Sequence, residues 1–320
     1  MTLLEQTLDV EDEGGEKLVL RQINPCTYGY GDALKTAELS LRSFEDGSLN
    51  KYRIPETYHY KGLLNHLRYN VLDPEKMLNE FVKGARRYRN LCHLQASGYL
   101  LDAQKASMKC YEVYTHEGQP IGYLSMRYPS FDVPNVAQEV ISNSRFPRIS
   151  RLWWWIYTHW TKTKFKVINY FRTSPRFFGG GGVPKDPEYA QKVAKEQKEV
   201  ESKLPTEAEL AAKTFDQLHE INYPRSHYYL LFMLMIDPRY QGKGLGRILI
   251  ESAIKDIPAA SVQFSDGINI SHGPVKIELK GTIEGKRLYD KVGFKTFSEL
   301  HFAEPGKPKS AYYRMDKIKP

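Results

Sequence analysis

Cysteine is scarce: Cys26, Cys92 and Cys110 are the only three in 320 residues. An odd, widely spaced set supplies neither a disulfide framework nor a CxxC metal site, so a reducing compartment and a metal-free chemistry are expected. Long apolar runs are also missing. The longest, Leu152 to Trp160 and Leu230 to Ile236, fall well short of the roughly 18 to 20 residues that cross a bilayer. The opening MTLLEQTLDVEDEGGEK is acidic and has neither the charged and apolar regions of a secretory signal nor the arginine-rich amphipathicity of a transit peptide. A cytoplasmic protein is the expectation. What is present suffices for a packed core: 41% of residues are hydrophobic and 12% aromatic, with no short repeat. The net charge of +8 suits an anionic partner, whether a phosphorylated cofactor, nucleic acid or a membrane surface. No RNA-recognition, zinc-finger or helix-turn-helix pattern supports nucleic acid, so none is expected as a partner.

Along the chain, an acidic leader over residues 1–14 precedes a strand-like run from Lys17 to Gln22 and a helical segment from Ala33 to Phe44. Asp73-Pro74, an N-cap followed by proline at the first helical position, opens a periodic stretch toward Leu94. Cys110 to His116 and Pro120 to Arg127 flank Glu117-Gly118-Gln119 and predict a hairpin. Residues from about 129 to 224 read as a helical insertion into a single domain covering 15–320. Within it Trp153, Ile156, Tyr157, Trp160, Lys164, Val167, Ile168 and Phe171 recur at spacings of three and four. That period predicts an amphipathic helix whose stripe packs on the core or over a cleft, with membrane-surface docking and nucleic-acid stacking as alternatives. The tetraglycine Gly179 to Gly182 lacks the GKS or GKT ending of a phosphate loop and reads as a hinge before a Lys/Glu/Gln-rich helix over 187–203.

The chemistry concentrates further on. Tyr228 to Ile236 is a nearly continuous apolar run of strand length, stopped by Asp237-Pro238. Then come Arg239-Tyr240, the turn Gln241-Gly242-Lys243-Gly244-Leu245-Gly246-Arg247, and a helical pattern from Ile248 to Ile257. A glycine turn opening a helix gathers backbone N–H groups at the positive helix end and lets a pyrophosphate approach the main chain. A dinucleotide fingerprint starting at Gly242 needs glycine or alanine where Arg247 stands, and a kinase loop needs an HRD motif that is missing.

The form Gln241-x-x-Gly244-x-Gly246 resembles the coenzyme A pyrophosphate motif of the GNAT superfamily of N-acetyltransferases. From Val275 the chain continues into Leu288-Tyr289-Asp-Lys-Val-Gly293-Phe294, similar to that family's LYxxxGF signature, 43 residues beyond Gly246. The resemblance covers roughly residues 15–128 and 225–318, with long aromatic insertions like those of fungal members. It implies an α/β fold of the α+β kind, with a mixed, mostly antiparallel sheet flanked by helices and splayed where the glycine turn begins. The implied reaction is transfer of an acetyl group from acetyl-CoA to the amine of a small-molecule acceptor, without a metal. A non-catalytic acyl-CoA sensor and a protein or peptide N-acetyltransferase are the alternatives.

The resemblance also assigns roles. Residues Gln241 to Arg247 hold the pyrophosphate, the main chain of Met235 and Ile236 pairs with the pantetheine arm, and Tyr289 is the general acid. Thr282 stands where many relatives carry an asparagine that touches the cofactor. The general base is left open among Glu278, His227 and a water chain, because no carboxylate lies within the apolar strand. Tyr28, Tyr30, Asp46, Trp153 and Trp160 are candidates to line the acceptor cleft.

Overall fold

The structure is a computed structural model that describes residues 5–11, 14–44, 92–93, 95–129, 132–144, 146–173, 228–257, 261–265, 269–273, 275–302 and 310–319. The chain forms two compact units: Met1–Tyr28, Asp102–Ser150 and Glu207–Pro320 make the first, Gly29–Leu101 and Arg151–Thr206 the second. The expected helix from Asp73, the tetraglycine and the 187–203 segment lie outside the described residues, apart from the helical Cys92-His93.

The first unit is built on one eight-stranded sheet. In chain order its strands are β1 (Glu5–Glu11), β2 (Lys17–Gln22), β3 (Met108–Tyr114), β4 (Pro120–Arg127) and β5 (Tyr229–Ile236), then β8 (Val275–Thr282), β9 (Lys295–Phe302) and β10 (Ser310–Lys319). Between β5 and β8 in the chain, β6 (Ser261–Ser265) and β7 (Asn269–Gly273) pair as a separate two-stranded antiparallel ribbon. The spatial order is β1-β2-β3-β4-β5-β8-β10-β9, antiparallel throughout except for β5 against β8. This is the mixed, mostly antiparallel sheet that the resemblance implies. One expectation fails at the start: the acidic segment read as a leader supplies edge strand β1, with Leu8 buried in the core. Alternating Leu8 and Val10 carry a strand pattern that the surrounding carboxylates obscure.

Helices α4 (Leu245–Lys255) and α5 (Ile283–Val292) follow β5 and β8 and pack on one face of the sheet. Leu249, Ile250 and Ala253 of α4 join Leu20, Val113, Leu124, Leu231, Leu279 and Met315 of the strands in a single core. Burial of each such aliphatic side chain contributes about 1.5 to 3 kcal/mol. Gly122 of β4 permits the close approach of α4, since a Cβ there would lie 3.2 Å from both Ile236 Cδ1 and Leu249 Cδ1. The C-terminal ends of both helices are held by lysines of β10. Lys319 Nζ donates to the carbonyls of Ile254, at 2.9 Å, and Ile257, and Lys317 Nζ donates to Val292 O at 2.6 Å. Asp256, just past α4, accepts from Lys109 Nζ at 2.8 Å and Tyr111 OH at 2.7 Å. A short α2 (Val136–Ser142), not evident in the sequence, also belongs to this unit.

The second unit contains α1 (Tyr30–Phe44) and most of α3 (Pro147–Thr173), with a helical run over 95–101. Tyr30 stacks on His93 with ring centroids 5.8 Å apart and meets Phe165 of α3 at 5.4 Å. The stripe of α3 predicted to pack inward is turned outward: Trp153, Ile156, Tyr157, Trp160 and Val167 are exposed. The covered side is Trp154, Thr158, Thr161 and Phe165. Apolar residues occupy most of this helix's circumference, so periodicity defines its faces without saying which is covered.

Because Lys317 satisfies a helix-end carbonyl inside the structure, Lys317→Met is expected to cost about 1 kcal/mol in urea unfolding. The exposed Lys295→Met should stay within about 0.5 kcal/mol of the parent.

Candidate functional site

The site begins where two strands part. β5 pairs with β4 along its length, from Arg127↔Leu230 to Gly122↔Ile236, with a bulge at Phe232. Its parallel register with β8 covers Tyr229↔Ile277, Leu230↔Glu278 and Leu231↔Leu279 and ends there, while β8 stays paired with β10 through Thr282. The sheet therefore opens beyond Leu231 and Leu279. The N–H of Asp237 donates to Ile121 O at 2.8 Å, toward β4. Strand alternation then turns the N–H and C=O of Ile236 and Leu234 toward the opening and those of Met235 toward β4. Of the two residues expected to present main-chain groups there, only Ile236 does so. The Gln241 side-chain amide donates to Ile236 O at 3.2 Å, so this glutamine braces the turn against the strand.

The glycine turn lies at the end of β5. Asp237 caps a single 3-10 turn, Pro238–Tyr240, accepting from Arg239 N and Arg239 Nε at 3.1 Å each. Gly242 and Gly244 adopt φ values of +79° and +84°, in the left-handed region that only glycine enters without strain. A Cβ at either would meet nothing within 4 Å, so the space over this backbone is open. Gly244 is the N-cap of α4 and no side chain caps that helix end. The first-turn N–H groups have no partner within the helix, and the dipole adds partial positive charge. Lys243 lies over the Tyr240 ring at 4.8 Å, and Arg247 Nε pairs with Glu251 at 2.7 Å on the surface. Gly246 and Leu245 are buried, and a Cβ at Gly246 would lie 2.8 Å from Leu288 Cδ2, which fixes how closely α4 and α5 meet.

Next to Leu288, Tyr289 is buried with its ring against two glycines. Added Cβ atoms at Gly281 and Gly285 would stand 3.0 and 2.9 Å from its Cε2. Phe294 meets the ring edge-on at 6.1 Å. Gly281 lies two residues past the last β5–β8 pair, on the sheet face that carries α5. Among the described residues no side chain bonds the Tyr289 hydroxyl, and burial pushes the phenol up to about 12. The two glycines are a signal in the sequence, four and eight residues before the tyrosine.

Other candidates are dispersed. Glu278 is buried on the face opposite Tyr289, at the closed end of the split, with Lys276 Nζ 2.5 Å from Oε1. Thr282 is the N-cap of α5, and its hydroxyl makes no cap bond. Tyr28 is buried and its hydroxyl donates to Glu112 Oε1 at 3.2 Å, while Tyr114 OH donates to Oε2. Tyr30 OH is 2.5 Å from His93 Nδ1 within the second unit. Trp153 and Trp160 are exposed on α3, and Asp46 and His227 lie outside the described residues. Glu112 is the charged residue that the sequence reading passed over. It lies in the register row Glu112↔Tyr123↔Met235, two strands from β5. The signal was a lone carboxylate inside the β-prone run Cys110 to Tyr114.

Residues 211–264, which include β5, the glycine turn and α4, match the model of the acetyltransferase (GNAT) family. No curated protein sequence matches the chain. Among solved structures the chain is similar to one described as histone acetyltransferase HPA2 and related acetyltransferase from Corynebacterium glutamicum, with 12% identity, 91% of each chain covered and a TM-score of 0.38. It is also similar to arylalkylamine N-acetyltransferase 2 from Aedes aegypti, with 14% identity, 94% and 99% covered and a TM-score of 0.36. A third is a mutant form of the spermidine/spermine N-acetyltransferase SpeG from Vibrio cholerae, with 13% identity, 94% and 95% covered and a TM-score of 0.30. Superpositions this loose add nothing to the geometry.

Gly244→Ala places a Cβ in a left-handed backbone and is expected to cost about 1 to 2 kcal/mol. Urea unfolding measures this, and the open space above Gly244 means that strain, not collision, accounts for it.

Proposed function

We propose that the protein is an acetyl-CoA-dependent N-acetyltransferase acting on a small amine. The observation that carries this reading is an uncapped helix start behind two left-handed glycines, beside the strand opening and within the stretch that matches the family model. The open space over Gly242 and Gly244 fits a pyrophosphate lying on the main chain. Residues Gly242 to Arg247 would hold it, with Lys243 and Arg247 adding screened attraction. Gln241 supports the cradle from behind, and Thr282 offers a hydroxyl where relatives use an amide. Leu234 and Ile236 would pair with the pantetheine arm as with an added strand. When bound, the donor supplies an activated acetyl thioester and a thiol leaving group.

The chain's own groups then divide the work. The Ile236 N–H polarises the thioester carbonyl. Tyr289 holds its proton throughout the neutral range, because burial raises its phenol to about 12. It acts by hydrogen-bonding the departing sulfur, whose thiol has a reference pKa of about 8.5, rather than by early release of the proton. For the proton of an alkylammonium acceptor, buried Glu278 and Glu112 are available on the face opposite α4 and α5.

Acetyl-CoA at about 100 times its dissociation constant should stabilise the protein by about 2.7 kcal/mol, and ATP and NAD at matched concentration should not. Thiol release in the presence of amines then reports transfer. Tyr289→Phe keeps the ring contacts and is expected to lower kcat about 100-fold with acetyl-CoA affinity unchanged. Donor binding without thiol release from any amine would make the protein an acyl-CoA sensor instead.

Glu278→Gln and Glu112→Gln separate the two proton acceptors. The active one is that whose loss slows acetylation of an alkylamine at least about tenfold while sparing a weakly basic arylamine, which needs no base. Equal slowing of both amines would assign the carboxylate a structural role.

A further inference from the structure

Helix α3 shows a side that the acetyltransferase reading does not use. Its covered side is the narrow line Trp154, Thr158, Thr161 and Phe165, and around the rest of the helix large apolar side chains stand in solvent. Leu152, Trp153, Ile156, Tyr157, Trp160 and Val167 follow one another at spacings of one to seven residues along a single outward stripe. Trp153 and Trp160 are 66% and 65% exposed. A stripe of this size is an interaction surface rather than scattered surface residues.

The charge on the same helix says what fits it. Residues 147–173 contain six lysines and arginines and no aspartate or glutamate. Lys164 is exposed within the apolar stripe, and Arg151, Lys162 and Lys166 are exposed on the opposite side of the helix. An apolar stripe rich in tryptophan, with lysine and arginine as the only charges on the rest of the helix, is the pattern of a helix lying in the plane of a membrane surface. A second copy of the helix would bring like charges together. Nucleic acid would use the cations and the flat rings but gain nothing from Leu152, Ile156 and Val167. No described helix is long and apolar enough to cross a membrane, so the contact is parallel to the surface. We propose that α3 docks the protein on an anionic lipid bilayer, its aromatic stripe in the headgroup region and its cations on the lipid phosphates and carboxylates. The proposal is independent of the acetyltransferase reading.

All four tryptophans of the chain lie on this helix, at 153, 154, 155 and 160, so tryptophan emission reports on it alone. The experiment mixes the full chain with vesicles of phosphatidylcholine alone or with about one third phosphatidylserine, reading cosedimentation and emission. Binding at least about tenfold tighter to the anionic vesicles, with a blue shift and loss on adding salt, is expected. The double substitution Trp153→Ser and Trp160→Ser should abolish binding without moving the thermal midpoint. Lys162→Glu with Lys166→Glu should remove the preference for anionic lipid, and serves as the second test if the tryptophan variant unfolds. No binding to either vesicle overturns the proposal, as does binding that both double variants retain. A blue-shifted emission that depends on protein concentration without lipid also overturns it, by assigning the stripe to self-association. So does binding to a single-stranded oligonucleotide that is lost in the tryptophan variant while vesicle binding is retained.

Discussion

The molecule turns on the parting of β5 from β8. Beyond Leu231 and Leu279 each strand keeps its other partner while giving up this one: β5 stays with β4 and β8 with β10. Main-chain groups of Leu234 and Ile236 thus face an opening within a sheet, where an extended ligand can take the place of a strand. Everything else in the candidate site is referred to that opening. The glycine turn sits at its edge because β5 ends there, and Tyr289 is beside it because α5 leaves β8 at the same end.

Electrostatics reinforces the arrangement without strong ion pairs. The helix that starts at the glycine turn has its negative end occupied by Lys319, and α5 has its negative end occupied by Lys317. The positive start of α4 is left to solvent and to whatever anion enters. The surface pair Arg247–Glu251 adds little, being exposed and screened. The cradle therefore depends on backbone direction, and backbone direction depends on two glycines.

Much of this was legible in the sequence. The apolar run ending at Asp237-Pro238, the spacing of Gly242, Gly244 and Gly246, and the Leu288-Tyr289 pair each carry local chemistry that a single chain displays. The hairpin of β3 and β4 was legible for the same reason. What escaped were properties that depend on a neighbour far along the chain. Which of Met235 and Ile236 faces the opening is set by where Asp237 bonds, and that bond is to Ile121. Glu112 drew no notice because Tyr28, which bonds it from 84 residues away, is brought to it only by the fold. The covered face of α3 escaped because two of its four residues, Thr158 and Thr161, are polar, while the stripe with the stronger apolar period is the exposed one.

The position of β10 has a kinetic meaning. It is the last described strand in the chain, yet it lies between β8 and β9, which were made before it. Until it arrives β9 has no strand to join, β8 lacks its long antiparallel partner, and the lysines that close α4 and α5 are missing. The partners of β10 are nevertheless near in sequence, from Ser310↔Phe302 in β9 to Lys319↔Val275 in β8, whereas β5 must join β4 across the whole distance from Arg127 to Leu230, so the wall of β8, β10 and β9 rests on the more local contacts. The opening takes its shape only when the long-range β4–β5 pairing meets this locally built wall, and a chain that has lost β10 would keep the glycine turn but lack the strand that holds β8 beside it.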